Sequence, residues 1–524
     1  MADYVRANSV EIMDTTLRDG EQMRDSSFTP EEKLTIARLL IEEVRVDRAE
    51  IASAHVSPGE AEAVKRVVSW ALEHGYEERI EVLGFTDRHV SVDWIVRLGA
   101  RVMNLLAKGS AKHLSKQLRK TAEEHLTDIR ETVAYATEMG VTCNIYLEDW
   151  SNGMLESPDY VQFLLDGLQS SKIRRFMLPD TLGVLSPAQV SRFVSELTQR
   201  YPDGHIDFHA HNDYGLATAN TLAAIDAGAK GVHCTVNGVG ERAGNTPLDE
   251  VVVTIHDFLN LATNVNEKKL HNISETVEIF SGRRVAVNKP ISGMNVFTQT
   301  AGIHADGDRK AGLYASQLLP ERFGRQRLYA LGKLSGKSSL EYNLRELGLE
   351  LNQEQRKLVL ERIVQLGDRK EIITQEDLPY IISDVLETPH DRSFVLRSCV
   401  VVSSMGLKPV ATVKLAYRAT SSDEYVEHEE SAQGDGGYDA FMNAIRKISR
   451  RLRIRFPKLA DYQISIPAGG KSDALVQCTI TWQDSKTFVT KGVSPDQVLA
   501  AAQATEKMLN IVVMRRTEKR RATR

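Results

Sequence analysis

Long apolar runs, paired cysteines and an excess of one charge are all missing from this 524-residue chain. No stretch holds the roughly 20 consecutive apolar residues of a membrane-spanning helix, so a membrane partner is not expected. The opening residues, Met1 to Arg6, have no apolar core and do not read as a signal peptide. Acidic and basic side chains nearly balance, 71 against 66, for a net charge of −5. Nothing in that balance points to nucleic acid as a partner. The four cysteines, Cys143, Cys234, Cys399 and Cys478, form no C-x-x-C pair and sit in apolar, strand-like runs. They read as small core residues of a protein in the reducing cytoplasm, not as disulfides or zinc ligands. Also absent is an early Gly-rich phosphate turn, the mark of an open doubly wound sheet.

Hydrophobic residues make up 42% of the chain and charged residues 26%, which excludes wholesale disorder and a fibrous repeat. Up to about residue 265, short apolar runs alternate with amphipathic stretches. The runs are 10–13, 48–52, 80–85, 101–106, 141–147, 174–178, 205–209 and 231–236. Helical spacing fills the gaps, as in 30–43, with Thr29 placed as N-cap, Pro30 at the first position and Glu32 in the first turn. Eight strand–helix units with right-handed crossovers predict an α/β fold, a (β/α)8 TIM barrel over residues 1–265.

Residues 266–390 predict a linker of small helical subdomains, with helices over 266–279, 340–347 and 354–366. Residues 391–514 turn strand-rich and carry an internal echo. Helices from Ala440 and from Gln497 start 57 residues apart, each preceded by strands and by an Asp. Two copies of one strand-and-helix unit are expected there, forming a C-terminal α+β domain. Residues 515–524 are a basic tail, expected to be solvated and disordered.

A barrel places its chemistry at the C-terminal ends of its strands. There the sequence carries Arg18 and Asp19, then Tyr146, Glu148 and Asp149, then Asp180 and Thr181, then His209 and His211, then Glu241 to Asn245. His209 and His211 are two apart on a strand and so share a face. Two convergent imidazoles with one carboxylate, Asp19, suit a divalent metal; the alternative is a pair of satisfied polar histidines at the rim. A 2-keto acid can chelate a metal through two oxygens, and Arg18 could bind its carboxylate, polarise its ketone or simply form a salt bridge. Glu148 could orient a water or the arginine. Glu241 and Asp213 could back the histidines.

Three stretches then carry a resemblance: Asp14-Thr-Thr-Leu-Arg-Asp-Gly-Glu-Gln, His209-Ala-His-Asn-Asp and Asn237-Gly-Val-Gly-Glu-Arg-Ala-Gly-Asn. In this order they resemble the signatures of the 2-isopropylmalate, homocitrate and (R)-citramalate synthase family. Its members condense acetyl-CoA with a 2-keto acid on a TIM barrel, using a divalent metal. The resemblance covers nearly the whole chain, because the linker and the two-copy domain are similar to the family's linker and amino-acid-sensing domain. It implies Asp19, His209 and His211 as metal ligands, with Asn245 a further ligand or close neighbour. Zn, Mn and Mg would all suit such a set. It implies that Arg18 and Thr181 hold the keto acid and that Glu148 sits beside the reacting centre. It implies a homodimer in which His304, of Gly302-Ile-His-Ala-Asp, reaches the other subunit's site with Tyr314 nearby. There His304 would help to remove the methyl proton of acetyl-CoA. No separate CoA motif stands out.

The acceptor pocket must take the methyl of pyruvate, the isopropyl of 2-ketoisovalerate or the carboxylate-bearing arm of 2-ketoglutarate. A carboxylate would need a basic partner. The strand ends instead offer Leu83, Leu106 and Tyr146, unless the two leucines are merely core. Isopropylmalate synthases usually carry a small Ser where Tyr146 stands. A tyrosine fills the space of an isopropyl, and overpacking costs about 1–3 kcal/mol. The runs from Tyr146 and from Gly434 resemble the citramalate-forming bacterial members of the family. The resemblance thus implies pyruvate as acceptor and isoleucine, the end of that route, as feedback inhibitor; 2-isopropylmalate synthesis for leucine is the alternative. An acyl-CoA lyase on the same barrel would carry a catalytic Cys in a Gly-rich loop, which is absent. A barrel kept only as a sensor would have lost its metal ligands. For the effector, the resemblance points to Tyr438, Asp439, Leu459, Tyr462, Ile466, Val476, Pro495 and Gln497, near two helix N-termini. The same residues would also suit hairpins and core at a dimer interface.

Overall fold

A computed structural model describes residues 9–301, 307, 316–347, 349–368, 373, 375–386, 393–419, 424–465, 476–484 and 487–522. The chain forms two compact units, Met1–Thr298 with Ala315–Arg327, and Gln299–Tyr314 with Leu328–Arg524.

In the first unit eight parallel strands close a barrel in chain order. They are β1 (Glu11–Asp14), β2 (Arg48–Ser53), β3 (Ile80–Phe85), β4 (Val102–Lys108), β5 (Thr142–Glu148), β6 (Ile173–Asp180), β7 (Ile206–Ala210) and β8 (Gly231–Cys234). Each expected apolar run forms one of them. The first crossover helix, Pro30–Arg38, opens on a capping box in which Thr29 and Glu32 satisfy each other's backbone N–H. Residues Leu39–Val44 continue it as a π-helical turn that ends at left-handed Arg45. The outer strand faces and the apolar helix faces form the main core, with Ile12, Ile36, Val64, Ile129, Leu164 and Val251 fully buried.

The barrel lumen is polar. Arg48, Glu50, Glu81, Asn104, Asn144, Asp207 and His233 are all buried. Their bonds join β2 to β7 and β5 to β8, strands that face each other only through the interior. A small apolar cluster of Met13, Leu83, Tyr146 and Met177 shares this space. Buried charges need partners, and each lumen charge has one: Arg48 meets Asp207 at 2.5 Å and Glu81 at 3.2 Å.

In the second unit the helices Lys337–Glu346, Gln353–Asp368 and Leu378–Val385 share a core of Leu340, Leu344, Val359, Ile363 and Leu378. Beyond them the expected duplication is present. The strands Phe394–Ser404, Leu407–Tyr417 and Val426–Gln433 form one antiparallel sheet, followed by the helix Gly437–Leu452. The strands Lys458–Ser465, Val476–Gln483 and Thr487–Ser494 form the second, followed by the helix Gln497–Ala522. Val413, Leu415, Phe441, Ile445, Ile480 and Trp482 belong to one core. The expectation of a disordered tail is overturned through residue 522, where the last helix ends. No Gly or Pro interrupts that helix. All four cysteines are free, three buried and Cys399 half-buried. Among the described residues no helix is long and apolar enough to cross a membrane.

Candidate active site

The loop after β1 is wound tightly. The N–H groups of Arg18, Asp19 and Gly20 all donate to the Thr15 carbonyl, at 3.1, 2.9 and 3.1 Å. A Cβ on Gly20 would lie 2.8 Å from Val239, so the close approach of the loops after β1 and β8 needs glycine. Lys33 braces the turn. Its buried ammonium donates to the Leu17 and Ile51 carbonyls and pairs with Glu21 and Glu60, each at 2.6 Å.

This loop brings Asp19 to the end of β7. Asp19 Oδ2 lies 3.3 Å from His209 Nε2 and 3.8 Å from His211 Nε2. One potential ligand atom from each residue falls within 4.8 Å of the others, and all three residues are buried. Asn245 bridges to the backbone of His211. Its Nδ2 donates to the Val239 carbonyl, while its Oδ1 is buried without a partner among the described residues, as is Asp19 Oδ1. Burial pushes the Asp19 carboxyl up, but Arg18 and the two histidines outweigh it and hold the group well below the usual carboxylate range. Burial pushes His211 down to about 4, so its imidazole is neutral with a free lone pair. An anionic carboxylate and two imidazoles converge, and the buried oxygens Asp19 Oδ1 and Asn245 Oδ1 lack a donor among the described residues. That donor set fits a divalent metal.

Arg18 stands beside this cluster. Its Nε donates to Glu50 Oε2 at 2.6 Å, Nη2 to the Tyr146 hydroxyl at 3.3 Å, and Nη1 lies 3.2 Å from Asp19 Oδ2. Burial disfavours the charged guanidinium, but Glu50 and Asp19 outweigh it and hold its pKa above the usual arginine value. These contacts use three of five N–H donors and leave one on each terminal nitrogen. Arg18 lines a cavity of about 390 Å³ together with Glu21, Phe28, Ser53, Val56 and Ser57. Glu50 is held in turn by Asn104 at 2.8 Å, and Asn104 by Asn144 at 2.9 Å.

The Tyr146 ring packs with Met13, Leu83 and Met177, and Leu106 packs half-buried against them. Its hydroxyl lies 3.0 Å from His233 Nδ1, and His233 Nε2 lies 3.1 Å from Asp207 Oδ2. Thr181 Oγ1 accepts from the Asp149 N–H at 2.9 Å.

Two expectations are corrected. Glu148 does not touch Arg18: it pairs with Lys108, its register partner on β4, and Glu50 is the arginine's carboxylate. Asp213 and Glu241 do not back the histidines: Arg242 lies between them and pairs with both, while Nδ1 of His209 and of His211 has no partner among the described residues. Glu50, Asn104, Lys108, Asp207 and His233 went unnoticed in the sequence. The available signal was a charge set among apolar neighbours, as in Arg48-Ala-Glu-Ile-Ala. His304, Tyr314 and Ile466 lie outside the described residues.

In the duplicated domain Tyr438 and Tyr462 stack with ring centres 5.0 Å apart, and the Tyr438 hydroxyl meets Thr505 Oγ1 at 2.8 Å. Asp439 accepts from the Asp435 N–H and from Asn443. A Cβ on Gly437 would lie 3.5 Å from Val498, so the two helix N-termini are neighbours. Pro495 and Gln497 are exposed at the start of the last helix, and Val476 is buried opposite Ser494. Leu459, two-fifths exposed, shares its strand with Tyr462.

Residues 9–277 match the HMGL-like family. Residues 291–371 match the homocitrate synthase post-HMGL domain-like family, and residues 372–513 the LeuA allosteric (dimerisation) domain. The barrel is thus that of an HMGL-like protein. The chain is 33% identical over 507 residues to (R)-citramalate synthase CimA of Methanocaldococcus jannaschii, covering 96% of this chain and 99% of that protein. It is 33% identical over 517 residues to the 2-isopropylmalate synthase of the same organism, covering 97% and 95%. A solved HMG-CoA lyase from Bacillus subtilis superposes with a TM-score of 0.46 at 22% identity, covering 53% of this chain and 95% of that one. The chain belongs to the 2-isopropylmalate, homocitrate and (R)-citramalate synthase family, and is an acyltransferase that works by condensation.

Proposed function

We propose that the chain condenses acetyl-CoA with pyruvate, releasing (R)-citramalate and CoA. One observation carries the choice of acceptor: Tyr146 is 3% exposed, wedged against Met13, Leu83 and Met177, and tied through its hydroxyl to His233 and Arg18. A ring held on two sides does not swing away to admit an isopropyl group. Identity is no guide, since relatives named for either activity match at 33%.

Asp19, His209 and His211 would hold the divalent metal, with Asn245 Oδ1 beside them; the bound ion supplies Lewis-acid polarisation of the ketone. Arg18 offers its two free N–H groups to the keto acid, and Glu50 keeps them aimed. The acetyl methyl carbon loses a proton, its electron pair forms the new bond to the ketone carbon, and the ketone oxygen becomes a hydroxyl. Water then cleaves the C–S bond, leaving a carboxylate and the CoA thiol. From the family resemblance, Thr181 helps to hold the keto acid, Glu148 sits beside the reacting centre, and a second subunit's His304, with Tyr314 nearby, takes part in removing the methyl proton. Isoleucine is the proposed effector, bound near Tyr438, Asp439 and Tyr462 in a homodimer in the cytoplasm.

The test is CoA-thiol release with pyruvate, 2-ketoisovalerate or 2-ketoglutarate, with and without chelator, and then with isoleucine or leucine. Chelator-sensitive release with pyruvate and inhibition by isoleucine are expected. Preference for 2-ketoisovalerate would overturn the reading in favour of 2-isopropylmalate synthesis.

A further inference from the structure

We propose that His233, oriented by Asp207, is a positioning residue that locks Tyr146 and thereby sets acceptor selectivity. The inference rests on the acceptor reading above. It follows from counting protons along one line of contacts. Arg48 Nη2 donates to Asp207 Oδ2 at 2.5 Å, His233 Nε2 lies 3.1 Å from the same oxygen, His233 Nδ1 lies 3.0 Å from the Tyr146 hydroxyl, and Arg18 Nη2 lies 3.3 Å from that hydroxyl.

Asp207 is fully buried and holds an arginine, so it is the anion and only accepts. His233 must therefore donate from Nε2. The Tyr146 hydroxyl faces Arg18, which cannot accept, and His233 Nδ1, so among the described residues a proton on Nδ1 as well would leave the Tyr146 proton without an acceptor. That Nδ1 carries a lone pair alone, so the Tyr146 hydroxyl donates to it. At the other end Arg18 can only donate, so the Tyr146 oxygen accepts. Every group in the line has a single allowed role.

Two consequences follow. The Tyr146 proton is turned away from Arg18 and spent on His233, so Tyr146 is a wall and not a proton donor. The tilt of that wall is set by a residue on β8, opposite β5 across the lumen. Without His233 the ring regains freedom, and the acceptor pocket loses its fixed edge.

A double-mutant cycle with His233→Leu and Tyr146→Phe tests this, read as kcat/KM for pyruvate and for 2-ketoisovalerate. Alone, His233→Leu is expected to shift the ratio about tenfold toward 2-ketoisovalerate, mostly through the KM for pyruvate. In the Tyr146→Phe background the same change should act by less than about twofold. His233→Asn, which keeps an acceptor near the place of Nδ1, should recover most of the selectivity. An equal factor in both backgrounds would sink the proposal, because His233 would then act without Tyr146. A readout free of turnover is the 15N spectrum of the histidine-labelled protein. The ring signals lost in His233→Asn must show a protonated Nε2 and a bare Nδ1; the opposite tautomer overturns the inference. If the wild type prefers 2-ketoisovalerate, the acceptor reading fails on its own, while the cycle and the tautomer still decide the role of His233.

Discussion

Glu50 and Arg18 meet at 2.6 Å, the carboxylate with no exposure and the guanidinium nearly as deep. The pair joins β2 to the loop after β1 and takes Arg18 Nε, so the terminal nitrogens alone remain for a ligand. Glu50→Gln keeps the shape and removes the charge. The expected result is a fall of about 100-fold in kcat/KM for the keto acid, with a smaller effect on acetyl-CoA. The melting temperature should drop as well, since breaking a buried pair costs about 3–5 kcal/mol and Gln restores part of it. Steady-state kinetics and thermal melts check both.

The metal set is open to a test without turnover. Asp19→Asn retains an oxygen but loses the charge that Arg18 and the histidines hold in place. Metal content after dialysis, measured by elemental analysis, is expected to fall from about one per chain to near none, following a loss of affinity of about 100-fold. Chelation of the wild type should abolish CoA release, and returning the ion should restore it.

Tyr146→Ser empties the space taken by the ring. The ratio of kcat/KM for 2-ketoisovalerate over pyruvate is expected to rise about 10- to 100-fold. Leaving Met13, Leu83 and Met177 around a void should lower stability by about 3 kcal/mol, visible in urea unfolding. An unchanged ratio would mean that the acceptor sits elsewhere.

His125 gives a pH signature. Its Nε2 accepts from the Lys108 N–H at 3.1 Å, and burial pushes it down to about 4. The unfolded chain binds this proton near pH 6.5 and the folded chain does not, so its share of stability is present above 6.5 and lost as pH falls toward 4. Between pH 7 and pH 5 the loss is about 2 kcal/mol. His125→Gln, an acceptor that does not titrate, should remove that much from the pH dependence of the urea midpoint.

The barrel was legible in the sequence because each strand is a short apolar run bounded by helical spacing. Arg18, Asp19, His209 and His211 were legible because they stand at strand ends, where topology alone says they meet. Glu50, Asp207 and His233 were not. They lie inside strands, and whether such a side chain faces the lumen depends on the closure and register of all eight strands. Glu148 was misjudged for the same reason: only the β4–β5 register shows that Lys108 lies opposite. The basic tail misled because charge signals solvation but does not forbid a helix.

The fastening of Tyr146 on two sides bears on how such an enzyme changes substrate over evolutionary time. Replacing the ring strands the lone pair of His233 and one donor of Arg18, both deep in the lumen. A lineage moving from one acceptor to another therefore meets epistasis at the first step. The neighbours on β8 and after β1 must adjust with the tyrosine, and the order in which they do so is constrained.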